Sequence, residues 1–439
     1  MNLTPFPHQM TGARFLAERR VALLLDEMGL GKTAQVVLAA DLIGARKILV
    51  ICPAVVRVGW EDEFVTWQKI DRPIRAVEGR IRETPGPGVT VISHAALADA
   101  ASVMALRAGA PYDLIVVDEI HEIRNWDAAR TRAMYGENAL YRCAPYFWGL
   151  TGTPVVNSAA DLWPFAAGPL ANQKSWWDWS MQFTVLKDAG NGDVRPIGLR
   201  QADVLADIFR SHVLRRTAES VGIRLPPLEV QDVMLPADPT ALARAMAGLQ
   251  QWDARRLTAA LDDQDELKDS ALASARRALG VAKAQALADH VRGILEAGEG
   301  PAVVFFQHTD VRKIAHAVLS THAGYKVSWI DGSVTRTQLR AAREWFQAGR
   351  LDALLVQTQA GGVGLTLTRG CRAVIGELPW TAVALQQAIK RIHRLTQTRA
   401  CRADVLRLKN CWLEDALATT VGRKHRASED FLSRLTTNT

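Results

Sequence analysis

Short apolar runs rich in β-branched and aromatic residues recur along the chain, and longer stretches with helical periodicity separate them. The runs lack strict alternation of polar and apolar positions, which predicts strands that are buried on both faces. Strands that alternate with helices predict βαβ units and a parallel sheet. The runs form two sets, at 21–25, 46–53, 89–94, 113–119 and 146–154 in the first half and at 302–308, 326–332, 352–358 and 372–378 in the second.

Two sets of buried strands predict an α/β protein with two parallel-sheet lobes. Residues 155–225 are irregular and rich in tryptophan, residues 237–297 have an Ala/Leu periodicity with many charges, and we expect helical insertions in both. A strand-like run between proline-containing breaks at 224–239 marks the boundary. We therefore expect a first lobe over 1–225, with its insertion at about 155–225, and a second over 226–439, preceded by the insertion at about 237–297.

The composition is that of a globular protein, since 48% of the 439 residues are hydrophobic and 23% are charged. No apolar run approaches the roughly 20 residues of a membrane span, and MNLTPFPHQM lacks the pattern of a signal peptide. We expect a cytoplasmic protein, or a nuclear one if the source is eukaryotic, without a membrane partner. The alanine-rich composition and the lack of appended modules suggest a prokaryotic or viral source.

The five cysteines form no C-x-x-C pair, and their odd number argues against a disulfide framework and against a structural metal site. The formal charge of +7 is modest but suits a polyanionic partner. Basic residues outnumber acidic ones most clearly between Lys390 and Arg426, where a solvated helix face is the simpler interpretation.

The segment VALLLDEMGLGKTAQ (21–35) ends like a phosphate-binding loop, but Asp26 stands where the strict G-x-x-x-x-G-K-[ST] pattern has glycine. A strand-like run precedes the loop and a helix-like run follows it, so backbone N–H groups and a helix N-terminus would face the phosphates. Lys32 would reach the β- and γ-phosphates, and the Thr33 hydroxyl would ligate Mg²⁺. The alternative is a glycine turn that carries a surface lysine.

The strand-like run 113–117 ends in Asp118 and Glu119, at the edge where parallel sheets bind ligands. Asp118 could hold Mg²⁺ through water, and Glu119 could orient or deprotonate the attacking water. An acidic pair alone is often only a strand terminator, but beside the loop it favours a nucleotide site. A further strand ends in LTGTP (150–154), whose hydroxyl groups could link the nucleotide to the rest of the lobe.

Together these motifs resemble the Swi/Snf-like ATPases, the branch of helicase superfamily two that translocates on double-stranded DNA, over nearly the whole chain. DEMGLGKT (26–33) matches the family's motif I, DEIH (118–121) its acidic box and LTGTP its motif III, while 157–165 and 214–229 match more family-specific stretches. The resemblance implies two RecA-like lobes with ATP and Mg²⁺ as cofactors. HQMTGARFL (8–16) resembles the Q-motif region, which implies that Gln9 recognises the adenine ring. Thr33 and Asp118 are the implied Mg²⁺ ligands. The implied nucleotide site comprises Gln9, Asp26, Glu27, Met28, Gly29, Leu30, Gly31, Lys32 and Thr33.

The second half resembles the later motifs of this family, with VVFFQHTDV (303–311) as motif IV, QTQAGGVGLTLT (357–368) as motif V and QQAIKRIHRLTQ (386–397) as motif VI. The resemblance implies that Arg391 and Arg394 are arginine fingers. Two arginines three apart lie on one face of a helix, and planar guanidinium groups suit phosphoryl transfer. The implied coupling residues are Thr151, Thr153, Arg340 and Gln387.

The resemblance also implies a partner, double-stranded or branched DNA, bound through its phosphate backbone because translocation cannot depend on sequence. Three tryptophans of SWWDW, Trp176, Trp177 and Trp179, could stack on exposed bases, although packing within the insertion is the simpler interpretation. The implied DNA-binding residues are Pro53, Trp60, Ser93, His94, Gly361, Gly362 and Trp380.

The sequence departs from the family pattern in three places that concern the coupling of ATP to DNA. Thr366 stands at the usual Asn, Thr396 at the usual Gly of motif VI, and WTAV (380–383) at the usual WNP. GELPW (376–380) with motif VI resembles the annealing-helicase, HARP-like branch.

We therefore expect a DNA-stimulated ATPase that translocates on double-stranded DNA and remodels DNA structures or protein–DNA complexes. One alternative is a strand-separating DNA or RNA helicase, against which the family-specific stretches argue. Another is a nucleic-acid clamp that uses ATP only as a switch, against which the intact Lys32, Asp118 and Glu119 argue.

Overall fold

The computed structural model describes residues 4–154, 158–190, 193–262, 269–358 and 365–435. These residues divide into two compact units, one that ends at Ile223 and is completed by the segment from Arg426 onward, and one formed by Arg224–His425. The division falls close to the boundary expected from the sequence. The C-terminal segment, however, groups with the first unit, because its apolar side chains Phe431, Leu432 and Leu435 are buried in that unit's core.

The first unit is built on a seven-stranded sheet in which every neighbouring pair of strands is parallel. The strands are β1 Val21–Leu24, β2 Lys47–Cys52, β3 Ile74–Ala76, β4 Gly88–Ser93, β5 Leu114–Asp118, β6 Tyr146–Leu150 and, after two further strands described below, β9 Val213–Leu214. Their order is β3-β4-β2-β5-β6-β1-β9. The carboxyl ends of β1, β5 and β6 therefore lie side by side at one edge, where ligands of parallel sheets bind.

The helices of the first unit begin with α1 Pro7–Ala17 and α2 Lys32–Leu42. Helices follow at Arg57–Trp67, Ala100–Ala108, Ala129–Tyr135, Trp163–Ala167, Trp176–Phe183 and Ala202–Phe209. Helix α2 has seven consecutive buried residues, Ala34–Ala40, because short Ala and Val side chains let a helix pack closely on a sheet.

The expected helical insertion at 155–225 is only partly helical. Strand β7 Val185–Gly190 pairs antiparallel with β8 Asp193–Ile197, and the last part of the segment supplies β9 to the main sheet. The periodicity missed these strands because they are short and carry charged residues, and because cross-strand pairing, which the sequence does not show, decides them.

The second unit contains a six-stranded, fully parallel sheet. Its strands are β10 Leu228–Leu235, β11 Ala302–Phe306, β12 Val327–Ile330, β13 Ala353–Gln357, β14 Arg372–Ile375 and β15 Cys401–Leu408, in the order β10-β15-β14-β11-β13-β12. Its helices are Pro239–Met246, Ala254–Asp262, Ser270–Glu296, Thr309–Ala317, Arg336–Gln347 and Ala382–Ile389, and a final helix Trp412–Leu435 begins here.

The two parallel-sheet lobes predicted from the sequence are confirmed, and each of the nine predicted buried runs contains a strand. The sequence missed β15, whose run CRADVLRL carries three charged residues. The buried Asp404 on this strand accepts hydrogen bonds from Gln231, His290 and Arg372, which lie on neighbouring elements. Among the described residues, no helix combines the length and apolarity needed to cross a membrane.

Candidate functional site

The loop between β1 and α2 is shaped to present backbone N–H groups. Gly29 and Gly31 have φ angles of 97° and 73°, in the left-handed region that glycine adopts without strain. Gly31 immediately precedes the first helical residue, Lys32, so the unpaired N–H groups of the first helical turn face this loop. The turn and the helix N-terminus together suit a phosphate group.

Helix α1 packs against this loop through two polar side chains. Gln9 is 5% exposed, and its Oε1 accepts a hydrogen bond from the backbone N–H of Phe6 at 2.9 Å. A Cβ atom at Gly31 would lie 2.3 Å from Gln9 Nε2, so only glycine leaves room for this amide. The ring of His8 meets the carbonyl oxygen of Leu30 through Nε2 at 3.1 Å.

Lys32 lies close to the charges of three carboxylates of the first unit. Its ammonium group donates a hydrogen bond to the carbonyl oxygen of Asp26 at 2.6 Å. Burial lowers the pKa of Lys32, while the nearby charges of Glu119, Asp26 and Asp118 raise it and so partly offset that cost.

The carboxylate of Asp26 faces the interior of the first unit and is fully buried. Arg216 binds it with two hydrogen bonds, from Nε at 3.1 Å and from Nη2 at 2.6 Å, and Gln35 donates a third at 3.0 Å. The departure from the strict loop pattern is thus an internal ion pair. Because its side chain is buried, Asp26 can contact a nucleotide only through its backbone.

Asp118 ends β5 and carries an elevated pKa. Its oxygens accept hydrogen bonds from Trp60 Nε1 and from the Glu119 N–H, each at 3.0 Å. Burial and then the neighbouring charge of Glu119 raise the pKa of Asp118 to about 7, against which the Trp60 bond and Lys32 act. Such a carboxylate gains from a cation beside it, which is the environment that a metal ligand requires.

Glu119 follows directly and has a φ of 49°, a strained conformation for a residue with a side chain. The hydroxyl of Thr151 donates a hydrogen bond to Glu119 Oε2 at 3.0 Å. Thr151 Oγ1 in turn accepts a hydrogen bond from the Thr153 N–H at 3.1 Å and lies 2.9 Å from His121 Nδ1. Burial lowers the pKa of His121 to about 4, so its ring is neutral at pH 7.

The remaining residues of the predicted nucleotide site lie around the loop. Glu27 Oε2 accepts a hydrogen bond from the N–H of Ala218 at 2.9 Å. Met28 packs against LTGTP, since a Cβ atom at Gly152 would lie 3.0 Å from Met28 Cγ. Leu30 is buried, whereas Thr33 is half-buried in the first turn of α2.

Two residues predicted to contact DNA have buried side chains, and this prediction is corrected for them. Trp60 is 1% exposed and His94 6% exposed. The Trp60 indole donates to the Asp118 carboxylate, and His94 Nε2 lies 2.8 Å from the Asp118 carbonyl oxygen. Both side chains therefore contact Asp118 of the acidic box (118–121) and do not face a ligand. Ser93 is also buried, and Pro53, just after β2, is half-buried.

In the second unit, Arg391 and Arg394 follow a helix and do not lie on one, because Ala382–Ile389 ends before them. The expectation that they share a helix face is therefore corrected. Arg391 is buried, and its backbone carbonyl accepts the Leu367 N–H at 2.9 Å. Arg394 donates to the Thr366 hydroxyl at 3.0 Å, and burial lowers its pKa to about 10, which leaves it charged at neutral pH.

Two of the three residues or segments that depart from the family pattern form hydrogen bonds between motif V and motif VI. Thr366 is the partner of Arg394, and the Thr396 hydroxyl lies 2.8 Å from that of Thr368. Each unusual threonine thus makes a hydrogen bond between the two segments.

Other predicted residues of the second unit are spread over its surface. Arg340 is exposed on Arg336–Gln347, and Gln387 is half-buried on Ala382–Ile389. Trp380 is half-buried beneath the guanidinium group of Arg276, whose Cζ lies 3.7 Å from the ring centroid. Gly361 and Gly362 lie outside the described residues.

Sequence reasoning did not single out Arg216, Gln35 or His121, although each contacts a predicted site residue. The signal for Arg216 was the aspartate at position 26, because a buried carboxylate requires a partner. The sequence did not identify this partner, because Arg216 lies 190 residues from Asp26 along the chain.

Comparison with known proteins supports this picture. A family model for the SNF2-related domain matches residues 8–240, and one for the helicase conserved C-terminal domain matches residues 282–396. The DNA annealing helicase and endonuclease ZRANB3 of Mus musculus is 25% identical over 97% of this chain. The SWI/SNF-related matrix-associated actin-dependent regulator of chromatin subfamily A-like protein 1 of Bos taurus is 26% identical over 89%, and the DNA excision repair protein ERCC-6-like of Mus musculus is 26% identical over 89%.

The chain spans about 40% of the length of these curated relatives. They are vertebrate proteins and give no support to a prokaryotic or viral source. Among solved structures, the Sulfolobus solfataricus SWI2/SNF2 ATPase core in complex with dsDNA matches 99% of each chain at 20% identity with a TM-score of 0.45, on which we base no conclusion. The SNF2-related model alone covers more than half of the chain, and the chain therefore belongs to the SNF2-related family.

Proposed function

We propose that this protein is a DNA-stimulated ATPase that translocates on double-stranded DNA and remodels branched DNA or protein–DNA complexes. The observation that carries the proposal is the convergence of three strand ends in one place. Lys32 comes after β1, Asp118 ends β5 and Glu119 follows it, and Thr151 follows β6. Electrostatic interactions and a hydrogen bond connect these groups. This set of groups matches the needs of nucleoside triphosphate hydrolysis.

In this proposal the loop N–H groups and Lys32 hold the phosphates, and Thr33 and Asp118 would hold Mg²⁺, which supplies positive charge to the transferred phosphoryl group. Glu119 accepts the proton of the attacking water at a carboxylate oxygen. Because Thr151 donates its hydrogen bond to Oε2 of Glu119, the hydroxyl fixes the orientation of that carboxylate. Gln9, held against Gly31, would read the adenine ring.

Arg391 and Arg394 would stabilise the charge that develops on the phosphoryl group during transfer. A guanidinium group held by backbone and hydroxyl partners is already oriented, so little entropy is lost when it binds. The contact of Arg394 with Thr366 provides a route by which motif V could sense the nucleotide.

The proposed DNA contacts are to phosphates, as sequence-independent movement requires. Pro53, Gly361, Gly362 and Trp380 remain candidates for this surface, as does the backbone of Ser93, whose side chain is buried. Thr151, Thr153, Arg340 and Gln387 remain candidates for coupling. Because relatives are named DNA annealing helicases, we propose annealing of complementary strands as a finer activity of this chain. A nuclear or cytoplasmic location follows from action on DNA.

The decisive experiment is an ATPase assay with no nucleic acid, single-stranded DNA, duplex DNA, forked DNA and RNA. We expect low basal turnover and a large stimulation by duplex or forked DNA. Lys32→Ala should abolish turnover, and Arg391→Ala or Arg394→Ala should lower it about 10³-fold. The matched control is Arg369→Ala, which removes an exposed arginine of the same unit and should leave turnover within about twofold.

Equal stimulation by RNA and duplex DNA would count against the proposal. Displacement of one strand of a short duplex would favour a strand-separating helicase instead. Absence of hydrolysis in a single turnover at saturating DNA would favour a clamp that uses ATP only as a switch.

A further inference from the structure

Arg216 makes an unusual number of contacts for a residue that no proposed chemical step uses. It is 1% exposed, and four of the five N–H donors of a guanidinium group are engaged. Besides the two bonds to Asp26, Nη1 donates to the carbonyl oxygen of His8 at 2.7 Å and Nη2 donates to Gln35 Oε1 at 2.8 Å. One side chain thus joins α1, the phosphate loop and α2.

The position of Arg216 is set by the backbone of the sheet. Strand β9 pairs with β1 through the Leu25 N–H and the Leu214 carbonyl at 2.8 Å, and the pairing continues from the Glu27 N–H to the Arg216 carbonyl at 2.8 Å. The segment that follows β9 therefore runs beside the loop. This register brings the guanidinium group underneath it.

Gln35 carries the connection into the loop itself. Its amide nitrogen donates to the Leu30 carbonyl oxygen at 3.1 Å as well as to Asp26. His8 Nε2 meets the same carbonyl oxygen at 3.1 Å. Two donors therefore hold the Leu30 carbonyl toward the interior, and since the peptide is planar and trans, the Gly31 N–H must point the opposite way.

We propose that Arg216 is a positioning residue that holds the Leu30–Gly31 peptide and the Gln9 amide in the arrangement that binds and selects the nucleotide. Asp26 is the anchor that makes this possible, since glycine at that position would leave the guanidinium without its anionic partner. The inference rests on the proposed roles of Lys32 and Gln9. It adds a selecting element that lies outside the phosphate-binding and acidic motifs.

The matched control is an arginine that is equally buried and pairs with an aspartate of α2. Arg72, 2% exposed, donates to Asp41 Oδ1 at 2.7 Å near the C-terminal end of α2. We expect its removal to perturb the C-terminal end of α2 and to leave the contacts of the phosphate loop intact. A merely structural role of Arg216 would give the two arginine variants the same kinetic behaviour.

The test measures KM for ATP, kcat and the preference for ATP over GTP at saturating duplex DNA, with wild type, Arg216→Gln and Arg72→Gln. For Arg216→Gln we expect KM to rise about tenfold and the preference for ATP to fall by a similar factor, the equivalent of about one hydrogen bond. We expect kcat to change much less, and Arg72→Gln to keep the KM and preference of wild type.

Two further variants keep the test valid if Arg216→Gln misfolds with Asp26 left unpaired. The double variant Asp26→Asn with Arg216→Gln removes both charges. Gly12→Ala leaves the charges intact but places a Cβ atom 1.7 Å from Gln35 Oε1 and 2.7 Å from Arg216 Nη2, so it must displace this network. Both should shift KM and base preference in the same direction.

The inference is overturned if folded Arg216→Gln, the double variant and Gly12→Ala keep the wild-type KM and preference, or if Arg72→Gln shifts them equally. Failure of the proposed function gives a different result, because wild type would then show no DNA-stimulated hydrolysis or Lys32→Ala would hydrolyse ATP as fast as wild type. The two failures are therefore distinguishable in one set of assays.

Discussion

At the scale of single residues, the Thr151 hydroxyl is the point where the acidic motif and LTGTP meet. It donates its one hydrogen to Glu119, so it can only accept from the Thr153 N–H and from His121. The neutral ring of His121 must therefore carry its hydrogen on Nδ1. This arrangement holds the proposed base in a single orientation despite its strained backbone.

The variant Thr151→Val tests this arrangement, because valine keeps the shape and removes the hydroxyl. Two buried donors lose their acceptor, which should lower the free energy of unfolding by about 1–3 kcal/mol. Loss of orientation at Glu119 should lower DNA-stimulated kcat about tenfold to a hundredfold. Steady-state kinetics and denaturant unfolding measure the two effects.

Thr131→Val is the control for that experiment. Thr131 is also fully buried, and its hydroxyl has no hydrogen-bond partner in the part of the chain that the structure describes. This variant should be neutral or slightly stabilising and should keep wild-type kcat. Similar losses of kcat in both variants would show that Thr151 acts only through packing.

At the scale of elements, the helix Trp176–Phe183 separates the tryptophans of SWWDW into two roles. Trp179 is fully buried, stacks edge to face on Phe183 with centroids 4.7 Å apart, and donates through its indole N–H to the Ala159 carbonyl at 2.9 Å. The packing interpretation is thus confirmed for Trp179. Trp177 is 48% exposed. Of these two tryptophans, only Trp177 can therefore stack on a base.

Alanine variants of these two tryptophans should therefore behave differently. Trp179→Ala should lower the free energy of unfolding by about 3–5 kcal/mol because it empties a core site. Trp177→Ala should change it by less than about 1 kcal/mol. Urea unfolding measures both, and a comparable loss in Trp177→Ala would show that its exposed face is packed in solution.

At the scale of the whole molecule, the charge of +7 and the proposed phosphate contacts make binding to DNA an electrostatic process. Each neutralised phosphate releases counterions, so the logarithm of the binding constant falls linearly with the logarithm of the salt concentration. The ATP site, built from buried groups of the first unit, is less exposed to this screening.

We expect the duplex concentration that gives half-maximal ATPase stimulation to rise at least about tenfold between 50 mM and 200 mM salt. KM for ATP at saturating DNA should change much less over the same range. Two duplexes of unrelated sequence should behave alike, since phosphates carry no sequence information. A half-maximal concentration independent of salt would contradict a phosphate-binding surface.

By itself the sequence determined the two parallel sheets, the strands that form their centres and the phosphate loop with its acidic motif. Buried strands require apolar residues, and a phosphate loop requires small residues such as glycine. Both requirements appear as local patterns in the sequence. The helix start at Lys32 and the acidic ends of β5 follow from the same local logic.

Only the tertiary structure decided what each polar side chain faces. Asp26 pairs with Arg216, and Trp60 donates a hydrogen bond to Asp118. Asp404 is buried within β15 and is paired with Arg372 of the neighbouring strand. These pairings join positions far apart in the chain, and each is stable only where the attraction between the partners offsets the cost of removing both from water. No local pattern contains that information, because desolvation depends on which distant group arrives at the same place.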